Sequence, residues 1–328
     1  MTEREEVLGV DLVVVGDCNP DVLVLGGDVT PSFGQQEKLV GSISIVVGGS
    51  AAITAVAASR LGLSVELVAA VGADPAGDFM LGQLSREGVG TTAVAVRDDV
   101  PTGMTVALSR GTDRAILTAP GAVASLTTRD VPTALLARAR HVHISSYFLL
   151  AHSLGPGLAA MLAAARAAGA TTSLDTNWDP AGIWGGDHLH ATLAQTDVLL
   201  PNETEALRIA GAPALPAAAG ALTAAGRRLV VKLGERGALC ADGPVWHRAE
   251  LPPVTPVDAT GAGDCFDAGL IGGLLRGLAL PDAAALGCAV GALSTQAAGG
   301  TASSPDLASA LALARTATVR RVSAGTPG

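Results

Sequence analysis

Lysine is nearly absent from this chain, Lys38 and Lys232 being the only two, and aromatic residues make up just 2% of it: four phenylalanines, three tryptophans and one tyrosine. The 21 basic residues form no cluster and the formal net charge is -9, which argues against a surface for nucleic acid or an anionic membrane. The four cysteines, at 18, 240, 265 and 288, form no C-x-x-C pair, so no zinc site or disulfide framework is signalled and reduced, buried thiols are expected. The six histidines are equally scattered; His141 and His143 alternate on an expected strand and read as packed side chains, not metal ligands. No apolar run reaches membrane-spanning length. The opening Met1-Thr2-Glu3-Arg4-Glu5-Glu6 lacks the basic-then-apolar order of a signal peptide, and a cytoplasmic protein is expected.

What is present suits a globular chain with a large core: 328 residues, 49% apolar and 16% charged. Apolar runs at Val10–Val15, Val65–Val71, His141–Ser145, Thr172–Leu174, Val198–Leu200 and Leu229–Val231 read as buried strands, with helical patterns between them. That rhythm predicts an α/β fold with a layered, mostly parallel sheet flanked by helices. Ala93–Val96, Met104–Leu108 and Ala115–Leu117 follow one another without helices, joined by turns such as Pro101-Thr102-Gly103 and Arg110-Gly111-Thr112-Asp113, and group with the strands Val22–Leu25 and Ser42–Val47. They predict a small inserted β lid over residues 21–47 and 93–118. Residues 1–20, 48–92 and 119–315 then make the core, and 316–328 a loose tail.

One stretch organises the chemistry: Asp258-Ala-Thr-Gly-Ala-Gly-Asp-Cys-Phe-Asp-Ala-Gly269. Pro252, Pro253 and Pro256 forbid a helix before it, while helical spacing runs from Phe266 to Leu280 and is expected to stop at Pro281. Gly261, Ala262 and Gly263 therefore fall at a helix N-terminus, where free N–H groups and the helix dipole favour a phosphate. Asp264 on the first turn has two readings, a base that takes a proton from a hydroxyl attacking that phosphate, or a cap on a glycine-rich turn. Asp17 and Asp21 follow the first strand and suit a hydroxyl-rich ligand, or a solvated turn around Pro20. The pair Gly48-Gly49 opens another helix, which allows close packing or a ligand against the backbone. Asp175, Asn177, Asn202, Glu205, Lys232 and Gly234 all follow strand ends, where ligands bind in sheets of this kind.

These residues resemble the PfkB family of carbohydrate kinases, which have the ribokinase-like fold, over roughly residues 10 to 310. The stretch from Asp258 to Gly269 is similar to the family's C-terminal signature, D-T-x-G-A-G-D-x-F-x-A-G. Gly48-Gly49 through Arg60-Leu61-Gly62 is similar to its N-terminal signature, and Asn202-Glu-Thr-Glu205 to its N-x-x-E motif. The resemblance implies transfer of the γ-phosphoryl of ATP to a hydroxymethyl group of a sugar or nucleoside. Asp264 would be the base and the amides of Gly261 to Asp264 the anion hole. Asn177, Lys232 and Gly234 would line the nucleotide, Asn202 and Glu205 would organise Mg²⁺, and Asp17, Asp21, Gly48 and Gly49 would hold the acceptor. It further implies a K⁺ site from Asp258, Thr260, Ser294, Ala297, Gly299 and Ser303. A homodimer through the lid is implied too, with Val22, Val24, Ile43, Ile45, Val94, Val106 and Ile116 as contacts.

Three positions depart from the family pattern: Ala259 for a threonine, Ile53 for an asparagine that touches the sugar, and Asp179 for an arginine that helps hold phosphate. Two other classes are set apart by the same residues. A dinucleotide oxidoreductase would need G-x-G-x-x-G after the first strand, where Gly16 is followed by Asp17-Cys18-Asn19. A sugar-binding sensor that kept the fold and lost turnover is opposed by the intact Asp264 and separable by ATP consumption.

Overall fold

The strands arise where β-branched runs meet turn residues. In chain order they are β1 (Val10–Val15), β2 (Asn19–Leu25), β3 (Ser42–Gly48), β4 (Val65–Gly72), β5 (Gly90–Arg97), β6 (Met104–Arg110) and β7 (Asp113–Ala119), then β8 (Ala139–Ile144), β9 (Thr171–Leu174), β10 (Val198–Leu199), β11 (Arg228–Lys232), β12 (Ala238–Asp242), β13 (Val245–Glu250) and β14 (Thr318–Val322). The structure is a computed structural model and describes residues 9–110 and 113–323. Ten strands form one sheet in the order β14-β13-β12-β11-β10-β9-β8-β1-β4-β5, parallel from β5 through to β11 and antiparallel beyond it. Alternation along β1 divides the core: Leu12 and Val14 pack into one helical layer, Val13 and Val15 into the other. This is the layered, mostly parallel sheet flanked by helices that the βα rhythm predicts.

The first layer holds the helices that carry the site. Ser50–Arg60 and Leu280–Ser294 both pack on Ala262–Leu275. A Cβ on Gly269 would lie 2.9 Å from Gly287 Cα, so small residues let these two helices approach closely. Leu275, not Pro281, ends the signature helix. Gly277 turns the chain at φ 81°, and Pro281 stands in the first turn of Leu280–Ser294, where its missing N–H costs no hydrogen bond.

The lid is a separate four-stranded sheet, β3-β2-β6-β7, antiparallel except for the parallel pair β2–β6. The strand at 93–96 does not belong to it. As β5 it pairs with β4 in parallel, Ala93 opposite Val68, because the helix Pro75–Arg86 is a crossover that returns the chain beside its own strand. Register then sorts the lid's faces. Val22, Val24, Ile43, Ile45 and Val106 share the outer face with Leu117, where Ile43, Ile45 and Leu117 are 64%, 57% and 64% exposed. Ile116 lies on the inner face with Asp21 and Thr105, and Val94 lies in the main sheet, so neither belongs to the outer patch.

Two further corrections concern the far edge. The hairpin β12–β13, turning at Gly243, extends the parallel sheet with antiparallel strands that the βα rhythm does not announce. The segment expected to be loose after 316 pairs as β14 with β13, Val319 opposite Ala249. The rest of that tail, 324–328, and the turn residues 111 and 112 lie outside the described residues, as do 1–8. His141 and His143 are packed as expected; burial lowers them to about 3 and about 4, and each hydrogen-bonds Ser173. All four cysteines are free and buried. Among the described residues no helix is long and apolar enough to cross a membrane.

Candidate active site

The helix Ala262–Leu275 begins after Gly261, whose φ of 72° is a left-handed conformation that glycine adopts without strain. A Cβ there would stand 2.7 Å from Gly300 Cα, so the loop at 299–300 also needs glycine at this point. The first N–H groups of the helix have no intrahelical acceptor and face outward as an anion cradle. Asp264 is buried on the first turn, with its carbonyl accepting from Thr54 Oγ1 at 3.3 Å. Burial, then the charge of Asp175, push its carboxyl up to about 7, against the pull of Lys232. It is therefore a group that exchanges a proton near neutrality beside a site made for anions.

Beneath the cradle the one lysine of the core is held by two aspartates. Lys232 Nζ lies 2.6 Å from Asp175 and 3.1 Å from Asp267, whose side chains are 2% and 0% exposed. The charge of Asp175 foremost holds Lys232 protonated against burial. Lys232 in turn keeps Asp175 ionised, whereas burial raises Asp267 well above the carboxylate range. Asn202 and Glu205 form a capping box on the helix Glu203–Ala210: Glu205 Oε2 accepts from Asn202 N at 2.9 Å, and Asn202 Oδ1 from Glu205 N at 2.9 Å. Burial and the charge of Asp175 raise Glu205 to about 7. Three carboxyls, Asp175, Asp267 and Glu205, thus act on a single ammonium.

The cradle separates two recesses. On one side a cavity of about 540 Å³ is lined by Lys232, Gly234, Val254, Ala262, Gly263, Phe266 and Ala292 among others. Its walls are apolar and its inner end is the cradle, which suits a nucleotide. Lys232 and Gly234, which the resemblance assigns to the nucleotide, line this cavity, and Ala259, the small departure in the signature, is part of its wall. Asn177 does not line it. Its Nδ2 donates to Ser50 Oγ at 3.0 Å and its Oδ1 accepts from Ser146 N at 2.8 Å, so it stands on the other side, with the acceptor residues. A second cavity of about 470 Å³, between Arg138, Arg228 and Leu275, lies at the opposite ends of the strands, away from this chemistry.

On the acceptor side Asp17 caps the helix Ser50–Arg60, its carboxylate accepting from Ser50 N at 3.1 Å and Ala51 N at 3.0 Å. Asp21 is on the lid, in β2 rather than in a turn, and takes a hydrogen bond from Asn19 Nδ2 at 3.2 Å; burial, then the charge of Asp17, raise it to about 7. Gly48 is required there, since a Cβ would come within 2.1 Å of the Asp21 carboxyl; Gly49 turns at φ 82° with Asp17 O 2.7 Å from where its Cβ would be. Two departures acquire structural reasons. Ile53 is buried beneath the anion loop, its Cδ1 filling the space beside Gly300, so it packs instead of facing a sugar. Asp179 accepts from the N–H groups of Ala181, Ile183 and Trp184 and anchors its own loop. That loop completes an edge-to-face aromatic chain, Tyr147, Phe148, Trp184, Trp178, whose last member is 60% exposed beside Asn177.

The residues named for a cation also converge. Asp258 Oδ1 accepts from Thr260 N and Oγ1 at 2.9 and 2.8 Å, Asp258 Oδ2 from Gly299 N at 2.8 Å, and Ser303 Oγ donates to Ser294 O at 2.6 Å. Ala297 lies in the same loop, without a contact that singles it out. Sequence reasoning singled out Asn19 with Asp17 and Asp21 but missed Asp267, Ser50, Ser146 and Thr105. Asp267 could have been found, because a carboxylate on an apolar helix needs a buried partner. The hydroxyls and the wall around Val254 carry no such signal.

The model of the pfkB family carbohydrate kinases matches residues 10–307. A ribokinase of Haemophilus influenzae is 27% identical over 304 residues, 90% of this chain and 95% of its own. A 2-dehydro-3-deoxygluconokinase of Bacillus subtilis is 30% identical over 282 residues, 79% of this chain and 84% of its own. An E. coli protein in complex with ATP and Mg²⁺ superposes with a TM-score of 0.82 over 93% of this chain and 99% of its own, at 24% identity.

Proposed function

The chain belongs to the pfkB family of carbohydrate kinases, and on that premise we propose that it transfers the γ-phosphoryl of ATP to a hydroxymethyl group of a sugar or sugar-like molecule. It is an ATP-dependent phosphotransferase with an alcohol acceptor. The acceptor lies between Asp17, Asn177 and the lid's Asp21, and the nucleotide lies along the cavity behind the cradle. Asp264 takes the hydroxyl proton as the oxygen attacks the γ-phosphorus; the bond to the bridging oxygen breaks and ADP leaves. The backbone amides from Gly261 to Asp264 receive the charge that grows on the phosphoryl oxygens. The observation that carries this reading is the place of Asp264: a carboxyl raised to about 7, on the first turn of a glycine-led helix whose Ala262 and Gly263 line an apolar cavity.

Magnesium neutralises the phosphates when bound. Glu205 and Asp175 would supply the negative field that holds it. Asp258 and the loop 294–303 would hold K⁺ through oxygens, the outer lid face would pair two copies, and the enzyme would work in the cytoplasm. A nucleoside acceptor is a second reading, favoured by the exposed indole of Trp178 beside Asn177. A panel of sugars, sugar acids and nucleosides, scored by ADP release with Asp264→Asn as control, tests both. Release with no acceptor on the panel refutes the kinase reading.

A further inference from the structure

At the ends of the strands opposite the cradle the fold gathers arginines that the sequence keeps apart. Arg138 immediately precedes β8, Arg140 is its second residue and Arg228 begins β11, and all three line the cavity of about 470 Å³. Thr171, at the start of β9, and Leu274 and Leu275, in the last turn of the signature helix, add to its wall. Among the described residues no acidic side chain lines it. The two nearby carboxylates are already engaged: Asp11 takes Arg140 at 2.6 Å and Ser64 N at 3.0 Å, and Asp197 takes Arg166 at 3.0 Å and Thr172 N at 2.9 Å. Helix C-termini attract cations, and Arg140 serves in that way, its Nη2 donating to Leu275 O at 2.7 Å. Arg138 and Arg228 do not: among the described residues neither guanidinium has an ion pair or a hydrogen-bond acceptor. Three like charges around one recess repel one another, and in a chain of net charge -9 they have no carboxylate of their own to balance them there.

We propose that this recess is a second ligand site, for a small organic anion with two or more negative charges, as a phosphate ester or a polycarboxylate carries. A guanidinium forms paired hydrogen bonds to either kind of oxyanion. The volume is that of a small-molecule site, and Leu274 and Leu275 offer an apolar wall to the carbon skeleton. Arg140 stays committed to Asp11 and Leu275 O, so Arg138 and Arg228 carry the recognition. The site is no part of the acceptor or nucleotide pocket. Lys232 ends the strand that Arg228 begins, and the cradle opens at the far end of the helix that Leu275 closes, a helix of 14 residues and so about 21 Å long. The inference therefore stands independently of the kinase reading.

The test is isothermal titration calorimetry of the full chain in low-salt buffer with three probes: inorganic phosphate, glycerol 3-phosphate and citrate. Wild type is compared with the double variant Arg138→Gln/Arg228→Gln and with Arg320→Gln/Arg321→Gln, which removes the same two charges from β14 at the sheet's far edge. Any binding at the cradle is common to all three proteins, so a difference between them belongs to the recess. Wild type should bind at least one probe with Kd below about 1 mM. Arg138→Gln/Arg228→Gln should weaken that binding at least about tenfold, the size of one lost charge-assisted hydrogen bond, while the β14 variant stays within about twofold of wild type. Binding of the two phosphates and not citrate assigns the site to phosphate esters, and the reverse assigns it to polycarboxylates. Isotherms that match in wild type and Arg138→Gln/Arg228→Gln for every probe, a loss of equal size in the β14 variant, or no binding to wild type below about 10 mM overturns the proposal. ADP release in the acceptor panel reports on the kinase reading alone, so the two can fail separately.

Discussion

Replacing Lys232 by methionine tests the charge arrangement beneath the cradle most directly, because it keeps an unbranched side chain one atom shorter and removes the ammonium with its charge and its hydrogen bonds to Asp175 and Asp267. Asp175 and Asp267 are 2% and 0% exposed, so neither can turn to water when its partner goes. Breaking such a pair from one side costs about 3–5 kcal/mol. Most of it falls on Asp175, since Asp267 already favours its protonated form. The pH dependence follows from sign. In wild type Asp175 is depressed, and its contribution to stability is present above the ordinary carboxylate range and lost on acidification. Without the lysine its pKa rises above the unfolded value, so the variant loses up to about 1.4 kcal/mol for each pH unit above that range until the native group ionises. Urea unfolding followed by far-ultraviolet circular dichroism, at about pH 5 and about pH 8, should show a deficit of at least about 3 kcal/mol at the higher pH and a smaller one at the lower. Adding Asp175→Asn should recover part of the loss. A deficit below about 1 kcal/mol, or one equal at both pH values, refutes the reasoning.

Asp264→Asn should lower kcat by about 10² to 10⁴ with ATP affinity little changed, and wild-type kcat/KM should rise with pH through about 7 as this carboxyl ionises; a profile flat between about pH 6 and pH 8 would remove it as the base. Activity in sodium buffer should rise as KCl is added at constant ionic strength, and Asp258→Ala should abolish the response; no response in wild type freed of K⁺ and NH₄⁺ discards the cation site. Ile45→Glu on the outer lid face should convert a dimer to a monomer by light scattering, and a wild type that is monomeric at micromolar concentration ends that idea. Asp21→Ala should raise KM for the acceptor at least about tenfold without weakening ATP binding, and an unaltered KM removes Asp21 from the acceptor site.

The sheet's parallel half and the anion loop were legible because each has a local cause: apolar runs between turns, and glycines ahead of an aspartate. Lys232 and Gly234 were read after a strand end and Gly261 and Asp264 at a helix start, and it was the family resemblance that implied they share one place. Partnership was not legible. Whether 93–96 joins the lid or the main sheet depends on which edge is open after a crossover, and β-branched spacing looks the same in both. Proline 281 reads as a stop or a start according to a helix that only packing defines. Asn177 sits at a strand end as expected, yet which side of the cradle it serves is set by Ser50 and Ser146, residues with no pattern of their own. Ile53 and Asp179 looked like losses of function by comparison with a motif; in the fold one fills space under the loop and the other anchors a turn.

The scarcity of aromatic residues gives the chain Tyr147, Phe148, Trp184, Trp178 a spectroscopic consequence. Two of the three tryptophans stand side by side next to Asn177, and the third, Trp246, is buried on β13. Intrinsic emission is therefore split into a site signal and a quiet internal reference. A ligand that covers the exposed indole of Trp178 should shift the emission maximum and protect it from a soluble quencher such as acrylamide. Trp178→Phe should erase that response, and with it in hand the binding of unlabelled acceptors can be timed in a stopped-flow instrument before any nucleotide is added.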